Sequence, residues 1–358
     1  MPHSYGLILA GGRGTRFWPR SRRARAKQVL SIFGERTLIQ STVDRLSPLI
    51  PPERLWVLTN EHLRDEIVRQ LPAIPKRQVL AEPVQRNTAP AIGLAAQILQ
   101  SLDRDAVMGV FPSDHVIAKP RRYVQFARAG FRAAAGGKIA VLGIVPRWAE
   151  TGYGYIEFPR QVRPGTLTPF AVSSFREKPN SRTAAKYVAA KRFYWNAGMF
   201  FWRTDVLLEA LRRHLPKTAT LLASLPRFAS PQFAARLNEV FPRCENISID
   251  YAVLERAENV VGLACDEIGW NDVGSWNAVY ELIARDREGN AASRSVIVST
   301  ASSGNYIDAG DKLVALLGAN NLVIVDTPDA LLIADRNRAQ QVGDIVKLLE
   351  QNKRHDLL

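Results

Sequence analysis

A glycine-rich turn followed by basic side chains is the part of the sequence best suited to chemistry. The apolar run Leu7–Ala10 predicts a buried strand, and Gly11, Gly12 and Gly14 follow it directly. Glycines at the end of a strand leave backbone N–H groups free to approach an anion, because no Cβ stands in the way. The guanidinium and ammonium groups crowded into residues 13–27 suit phosphate oxygens. We therefore predict a nucleotide phosphate site here.

The spacing of this turn separates it from two better-known phosphate motifs. It lacks the G-x-x-x-x-G-K-[S/T] pattern of a P-loop, and G-G-x-G is not the dinucleotide pattern G-x-G-x-x-G. The alternative is an ordinary strand-to-loop turn with a solvated basic face. Arg16 and Lys27, which follow the glycines, favour the phosphate site.

Two aspartates are candidates for binding a metal. Asp114 lies in Phe111–His115, directly after a predicted buried strand, and ligands of open α/β sheets bind beyond the carboxyl ends of strands. Asp272 lies between two tryptophans in Gly269–Trp276. Together they would form a Mg²⁺ site from distant parts of the chain, since this ion takes one or two carboxylates plus phosphate oxygens. A turn aspartate and a packed loop are the alternatives, and for His115 a turn role is favoured.

The segment Glu82–Thr88 falls at a strand end, before a predicted helix. Asn and Arg side chains there can contact the edge of a base, while the helix N-terminus can bind an anion or a carbonyl. The alternative is a simple helix start, in which Thr88 caps the helix after a proline turn.

A third group of residues offers partners for a sugar phosphate. Glu177 suits sugar hydroxyls and Lys178 suits a phosphate, although a solvated ion pair is the common alternative. Asn196 is a polar residue in an apolar strand, where a buried amide needs a partner. A predicted hairpin would let the backbone approach the sugar closely, through Gly152, Tyr153 and Gly154.

These motifs resemble the signature of the sugar-1-phosphate nucleotidyltransferases, L-A-G-G-x-G-x-R-(L/F)-x-P-x-(S/T), which a lysine follows. The pattern W-x-D-x-G-x-W around Asp272 also occurs in that family. The run E-P-x-x-R-N-T-A-P at residues 82–90 resembles its mannose-1-phosphate guanylyltransferase branch. One departure is Ala26, which replaces the usual proline; it loosens the backbone before Lys27 but keeps the lysine charge.

The resemblance implies transfer of GMP from GTP to mannose 1-phosphate, giving GDP-mannose and pyrophosphate by in-line attack at the α-phosphorus. It implies Mg²⁺ on Asp114 and Asp272, Arg16 on the leaving diphosphate, and Lys27 neutralising charge at the α-phosphate. A nucleotidyltransferase for another nucleotide or sugar phosphate, and a regulator that only binds nucleotide sugars, are the alternatives. Longer bifunctional members continue into a cupin-like isomerase domain, so no isomerase activity is expected of this chain.

The same resemblance assigns contacts to the two substrates. Residues 82–88 are expected to help select guanine. Nucleotide contacts are expected from Leu9, Ala10, Gly11, Gly12, Gly14, Thr15, Glu82, Arg86, Asn87, Thr88 and Ser113. Sugar-phosphate contacts are expected from Gly152, Tyr153, Gly154, Glu177, Lys178, Asn196 and Asp272.

The elements that would position these residues follow a regular order. Strand and helix patterns alternate about every 25 residues, which predicts an α/β fold. We expect a Rossmann-like, doubly wound (GT-A-like) nucleotidyltransferase domain over residues 1–289, with hairpin strands added after Pro146. Short, evenly spaced strands then predict a small β domain over residues 290–358, β-helix-like and closed by a helix.

Composition excludes several partners. Lys and Arg number 48 against 34 Asp and Glu, a net charge of +14, but much of the excess lies in residues 13–27, where a polyphosphate accounts for it. Without a zinc-finger or RNA-binding signature, no nucleic acid is expected. No apolar run approaches the roughly 18 residues of a membrane span, and two cysteines give no disulfide framework. We expect a cytoplasmic protein with free thiols, no membrane partner and possible homodimers through the β domain.

Overall fold

The computed structural model describes residues 3–358, and a 10-stranded mixed sheet forms its centre. The first twelve strands of the chain are β1 Ser4–Leu9, β2 Leu55–Asn60, β3 Val79–Glu82, β4 Val107–Pro112, β5 Val116–Ile117, β6 Ile139–Ile144, β7 Gly154–Glu157, β8 Phe170–Ala171, β9 Ser174–Glu177, β10 Phe193–Arg203, β11 Val260–Cys265 and β12 Trp270–Asn271. The α-helices are α1 Leu38–Leu46, α2 Glu61–Gln70, α3 Thr88–Leu102, α4 Pro120–Ala135, α5 Ser181–Ala189, α6 Thr204–His214, α7 Pro216–Ala223, α8 Phe233–Val240, α9 Trp276–Leu282 and α10 Val342–Gln351.

The strand order of the main sheet is β3-β2-β1-β4-β10-β6-β11-β8; in addition, β7 pairs with β10, and β9 pairs with β7. Strands β3, β2, β1 and β4 are parallel, so their carboxyl ends meet at one edge. There Leu9 is in register with both Leu58 and Pro112. The residues that follow β1, β3 and β4 therefore converge, as the α/β prediction requires.

Strand β10 runs antiparallel to both neighbours, β4 and β6, within this sheet. Its register shifts between Asn196 and Phe200, where Gly198 has φ +67°. A bulge of this kind bends a strand and redirects its side chains, and here it falls beside the site described below. The hairpin strands predicted after Pro146 include β7 and β9, which pair antiparallel.

Hydrophobic residues of the strands alternate between the two faces of the sheet. Leu7 lies in one buried cluster and Ile8 in the other, and both are fully buried. Helix α3 packs on the first face and α4 on the second, which is the layered arrangement of an α/β domain. Asn87, rather than Thr88, is the N-cap of α3, because its Oδ1 accepts from the Thr88 N–H at 2.9 Å.

The last residues form a β unit in which most of the strand pairs are parallel. Its strands are β13 Ala291–Ala292, β14 Val296–Thr300, β15 Tyr306–Asp308, β16 Leu313–Leu317, β17 Leu322–Asp326 and β18 Leu331–Asp335. Strands β13, β15, β17 and β18 form one sheet, and β14 and β16 form a second. Ile307 and Leu316, one from each sheet, share a buried cluster. This agrees with the β-helix-like prediction, although β13 and β15 are too short to be recognised in the sequence.

A third buried cluster joins the β unit to the start of the chain. Phe17 and Trp276 pack against Tyr306 of the β unit and Val346 of α10. The C-terminal segment is therefore packed against the glycine-rich turn. Among residues 3–358, no helix is long and apolar enough to cross a membrane. Both cysteines, Cys244 and Cys265, are buried free thiols.

Candidate active site formed by two adjoining cavities

Two cavities open at the carboxyl edge of the parallel strands. The first, of about 550 Å³, is lined by the glycine turn, the end of β3 and the start of α3. The second, of about 660 Å³, lies beside β10 and the segment before β7. Leu9 and Thr88 line both, so the cavities adjoin. The predicted residues in the first cavity are Leu9, Gly11, Gly12, Glu82, Asn87, Thr88, Ser113 and Asp114. Those in the second are Leu9, Arg16, Thr88, Gly152, Tyr153, Gly154, Glu177, Asn196 and Asp272.

The glycine turn is shaped by its contact with the lysine that follows it. Gly14 has φ +62°, and a Cβ on it would lie 2.8 Å from both the backbone N and the Cβ of Lys27. Only glycine fits this position without strain, since left-handed backbone disfavours a side chain. Ala26 has φ −70°, which is the value that proline imposes, so the alanine adopts the backbone of the family proline.

Three carbonyl oxygens of the turn accept hydrogen bonds from glutamine side chains. Gln28 Nε2 donates to the oxygens of Ala10 and Gly12, at 2.6 and 3.1 Å. Gln85 Nε2 donates to the oxygen of Gly11 at 2.6 Å. Both glutamines line the first cavity, and neither was predicted from the sequence. The one available signal was that Gln28 directly follows Lys27.

Lys27 lies behind the two cavities and connects their walls. Its Nζ is 2.9 Å from Asp114 Oδ2 and donates to the Asp272 carbonyl oxygen at 2.7 Å. The side chain is almost fully buried, and its ammonium lies 5.3 Å from the centre of the Phe17 ring. One cation thus bridges the segments that carry the two predicted metal ligands.

Asp114 faces the cavity with a third of its side chain exposed. Burial acts to raise the pKa of Asp114, but the opposing causes, of which the Lys27 charge is the largest, hold the pKa below its usual value. His115 is buried, and burial lowers its pKa. Its Nδ1 is 3.2 Å from the Trp270 Nε1, which can only donate, so His115 accepts there. We therefore place the imidazole N–H on Nε2, which lies 4.0 Å from Asp114 Oδ1.

Asp272 enters the second cavity together with a tyrosine and an arginine. The Tyr153 hydroxyl donates to Asp272 Oδ1 at 2.6 Å. Burial and the neighbouring Asp272 carboxylate raise the Tyr153 pKa, so the phenol stays protonated. A Cβ on Gly274 would lie 2.9 Å from Asp272 Oδ2 and 3.4 Å from Arg16 Nη1. Carboxylate and guanidinium therefore flank the same glycine.

Acidic side chains form the far wall of the second cavity. Burial and then the nearby Glu177 raise the pKa of Asp250 to about 7. Burial also raises the pKa of Glu177, whose Oε2 has no hydrogen-bond partner, while Oε1 is 3.2 Å from Lys178 Nζ. Asn196 Nδ2 donates to Asp250 Oδ1 at 3.0 Å. Glu177 Oε2 is therefore a buried acceptor without a donor.

Glu82 is the buried acid of the first cavity. Glu82 is 8% exposed, and burial raises the pKa of its carboxyl group to about 8. Arg86 is turned away, because its guanidinium donates to the carbonyl oxygen of Pro242. Six of the predicted site residues line neither cavity, namely Ala10, Gly14, Thr15, Lys27, Arg86 and Lys178. Of these, Ala10, Gly14 and Lys27 support the lining from behind.

The basic stretch after the turn is mostly paired within the protein. Arg13 and Arg23 lie 2.5 and 3.8 Å from Glu350 Oε1. Arg20 is 3.6 Å from the buried Asp308, and Arg22 is 2.9 Å from Asp329. All three acids belong to the C-terminal segment. A polyphosphate is therefore not needed to account for these four arginines, contrary to our interpretation of the net charge.

Comparisons with known proteins identify the family of this chain. A model of the nucleotidyl transferase family matches residues 5–289, and a model of the MannoseP isomerase/GMP-like beta-helix domain matches residues 294–349. A mannose-1-phosphate guanylyltransferase of Escherichia coli is 39% identical over 354 residues, 97% of this chain and 74% of that protein. One from Klebsiella pneumoniae is 38% identical over 356 residues, 98% of this chain and 74% of that protein.

A solved structure shares the whole fold. It is described as a mannose-1-phosphate geranyltransferase from Thermus thermophilus, with a TM-score of 0.85 at 32% identity over 97% of this chain and 99% of that one. The sheet, the two cavities and the first family match define a nucleotidyltransferase. Within that class, the chain belongs to the mannose-1-phosphate guanylyltransferase family. The family and the fold class predicted from the sequence are confirmed.

Proposed function

We propose that this chain transfers GMP from GTP to mannose 1-phosphate, releasing pyrophosphate and forming GDP-mannose. The observation that carries the proposal is the junction at Lys27, where a cavity suited to a nucleotide meets one suited to a sugar phosphate. A transfer reaction needs both substrates held with their phosphates in contact. Relatives named for this activity align over nearly the whole chain, which supports the same assignment.

Glu82 is the group that we assign to guanine selection. Guanine presents an N–H and an amino group side by side, and one carboxylate can accept from both. Adenine offers one donor beside an acceptor, which would leave a buried carboxylate oxygen unpaired. Arg86 is engaged elsewhere, so the base contact within residues 82–88 falls mainly to Glu82. Guanine binding would stabilise its ionised form and lower the elevated pKa.

The two aspartates fit a Mg²⁺ ion by their chemistry. One oxygen of Asp114 faces Lys27 and one oxygen of Asp272 accepts from Tyr153, so each carboxylate keeps a second oxygen for a ligand. Mg²⁺ prefers one or two carboxylates plus substrate phosphates. When bound there, the ion would offset the charge of the two phosphates brought together at this point. The Tyr153 hydrogen bond fixes the Asp272 carboxylate for that role.

The second cavity would hold mannose 1-phosphate. Glu177 and Asp250 would accept from sugar hydroxyls, because Glu177 Oε2 has no hydrogen-bond partner and lies beside Asp250 in this wall. Burial raises the pKa of both carboxyl groups, and hydroxyl donors would stabilise their ionised forms. Arg16 lines this cavity beside Asp272, and we assign it to the sugar phosphate. This changes its expected role, since the sequence had pointed to the leaving diphosphate.

The reaction is then a positioned phosphoryl attack. A phosphate oxygen of mannose 1-phosphate forms a bond to the α-phosphorus of GTP, and the bond from that phosphorus to the bridging oxygen breaks, which releases pyrophosphate. This direct displacement needs no protein nucleophile. Lys27 contributes a fixed positive charge at the junction, and such preorganised groups usually dominate catalysis of this type.

Pyrophosphate release tests the proposal directly. GTP, ATP, UTP, CTP and dTTP are each supplied with mannose 1-phosphate or glucose 1-phosphate, with and without Mg²⁺. We expect release only with GTP, mannose 1-phosphate and the metal. Release with another nucleotide would overturn the role of Glu82, and release with glucose 1-phosphate alone would overturn the choice of sugar. Binding of GDP-mannose without any release would instead identify a nucleotide-sugar-binding regulator.

A further inference from the structure

One side chain of the C-terminal segment enters the active site. Gln340 lies in the 3-10 turn Arg336–Gln341, between β18 and α10. Its Oε1 accepts a hydrogen bond from Arg16 Nη1 at 2.8 Å. Among the described residues, it is the single lining residue of the second cavity that comes from beyond residue 272.

The turn that carries Gln340 is fixed to the short helix that carries Arg16. Ala339 and Val342, on either side of it, are buried in the cluster that contains Phe17. Trp18 Nε1 also donates to the Leu357 carbonyl oxygen at 2.9 Å. Because both ends of the Arg16–Gln340 contact are anchored in one core, the hydrogen bond can hold the guanidinium in a set direction.

Arg16 differs from the other arginines of residues 13–23 in the charge of its partner. The remaining four pair with carboxylates of the C-terminal segment, as described above. Arg16 is held by a neutral amide. A carboxylate would neutralise the guanidinium, whereas an amide orients it and leaves its full positive charge for a ligand.

Without Gln340, the guanidinium has a competing partner nearby. Arg16 Nη1 and Asp272 Oδ2 both lie against Gly274. An ion pair between them would remove the Arg16 charge from the sugar phosphate and occupy an oxygen that we assign to the metal. The hydrogen bond from the same nitrogen to the neutral Gln340 side chain opposes that movement.

We propose that Gln340 is a positioning residue of the transfer site, which holds Arg16 over the second cavity and keeps its charge available for the phosphate of the sugar substrate. The C-terminal β unit thereby completes the active site. The proposal rests on the proposed function, since it assumes that this cavity receives a sugar phosphate.

The test compares two substitutions of Gln340 with a neighbouring control. Gln340→Ala removes the hydrogen bond, and Gln340→Glu keeps an acceptor but adds a charge. Gln341→Ala is the control, because Gln341 is also exposed and its side chain bonds within its own turn, to Arg338. Rates are measured as pyrophosphate release, varying each substrate in turn, and folding is checked by thermal unfolding.

We expect both Gln340 variants to lose about tenfold in kcat/KM for mannose 1-phosphate, with the KM for GTP and the melting temperature nearly unchanged. The control should stay within twofold of wild type. In an Arg16→Ala background, Gln340→Ala should cause no further loss, because its effect acts through Arg16.

Three results would overturn the proposal: a full additional loss in the Arg16→Ala background, wild-type kcat/KM for Gln340→Glu, or less than a twofold effect of Gln340→Ala. The substrate specificity of the wild-type enzyme tests the proposed function, whereas the variants test the role of Gln340. If a different sugar phosphate supports pyrophosphate release, the function is reassigned. The kcat/KM of each variant relative to wild type, measured with that substrate, still decides the role of Gln340.

Discussion

Replacing Lys27 with methionine removes a positive charge from the point where the two cavities meet. The lysine Nζ is 2.9 Å from Asp114 Oδ2 and 2.7 Å from the Asp272 carbonyl oxygen, and the residue is 5% exposed. Methionine has a similar length and would place an apolar end near the Phe17 ring, where the ammonium now lies 5.3 Å from the ring centre. The substitution therefore changes the electrostatics of the site more than its packing.

The magnitude follows from the role of a preorganised group. Removing one such donor from a catalytic site costs about 10²–10³ in kcat, or roughly 3–4 kcal/mol. The effect on folding should be smaller, because Asp114 is 36% exposed on its side chain and can be solvated when its partner is lost. We expect the free energy of unfolding to fall by about 1–2 kcal/mol.

The assay is the initial rate of pyrophosphate release at saturating GTP, mannose 1-phosphate and Mg²⁺, together with thermal unfolding of the same samples. Lys138→Met is the control, because it removes the same charge from an exposed position between α4 and β6. That control should keep wild-type kcat. A folded Lys27→Met protein with kcat within fivefold of wild type would refute the electrostatic role of Lys27.

Three further substitutions test other parts of the site. Burial raises the pKa of Glu82 from 4.5 to about 8, so the folded protein keeps this proton and loses stability as pH rises from 5 to 9. Glu82→Gln should therefore melt higher than wild type at pH 9 but not at pH 5, and a pH-independent difference would contradict this. Gly14→Ala should lower the melting temperature by several degrees, because φ is +62° and the new Cβ would meet Lys27 at 2.8 Å. Gly12→Ala meets no atom within 4 Å and is its matched control for stability. Glu177→Gln should raise the KM for mannose 1-phosphate about tenfold and leave that for GTP unchanged, since its free Oε2 is assigned to the sugar; equal changes in both constants would argue against that contact.

Local patterns in the sequence predicted the fold well. The predicted alternation of strands and helices is observed from β1 to β6. The failures occur where few residues form an element or where tertiary contacts decide it. Strands β13 and β15 have two and three residues, too few for any period to appear. The N-cap of α3 is Asn87 rather than Thr88, because the Asn87 side chain accepts a hydrogen bond from the Thr88 N–H, which residue spacing does not indicate.

The candidate site was predicted unevenly, for a similar reason. Residues at strand ends, such as Asp114 and Glu82, were recognisable because parallel strands share one functional edge. Gln28, Gln85 and Gln340 were missed, because a glutamine has no chemical signature until its partner is known. Their roles depend on which carbonyl or guanidinium lies opposite.

The sequence by itself determined the chemistry available to this protein: a glycine turn at the end of a strand, an adjacent lysine, and aspartates in recognisable motifs. These are local properties of residue type and spacing. The tertiary structure decided which charges remain available for a substrate. It pairs four arginines after the turn with acids more than 280 residues away and holds Arg16 with an amide. Local sequence cannot show this, because the strength of a charge depends on the groups that folding brings beside it.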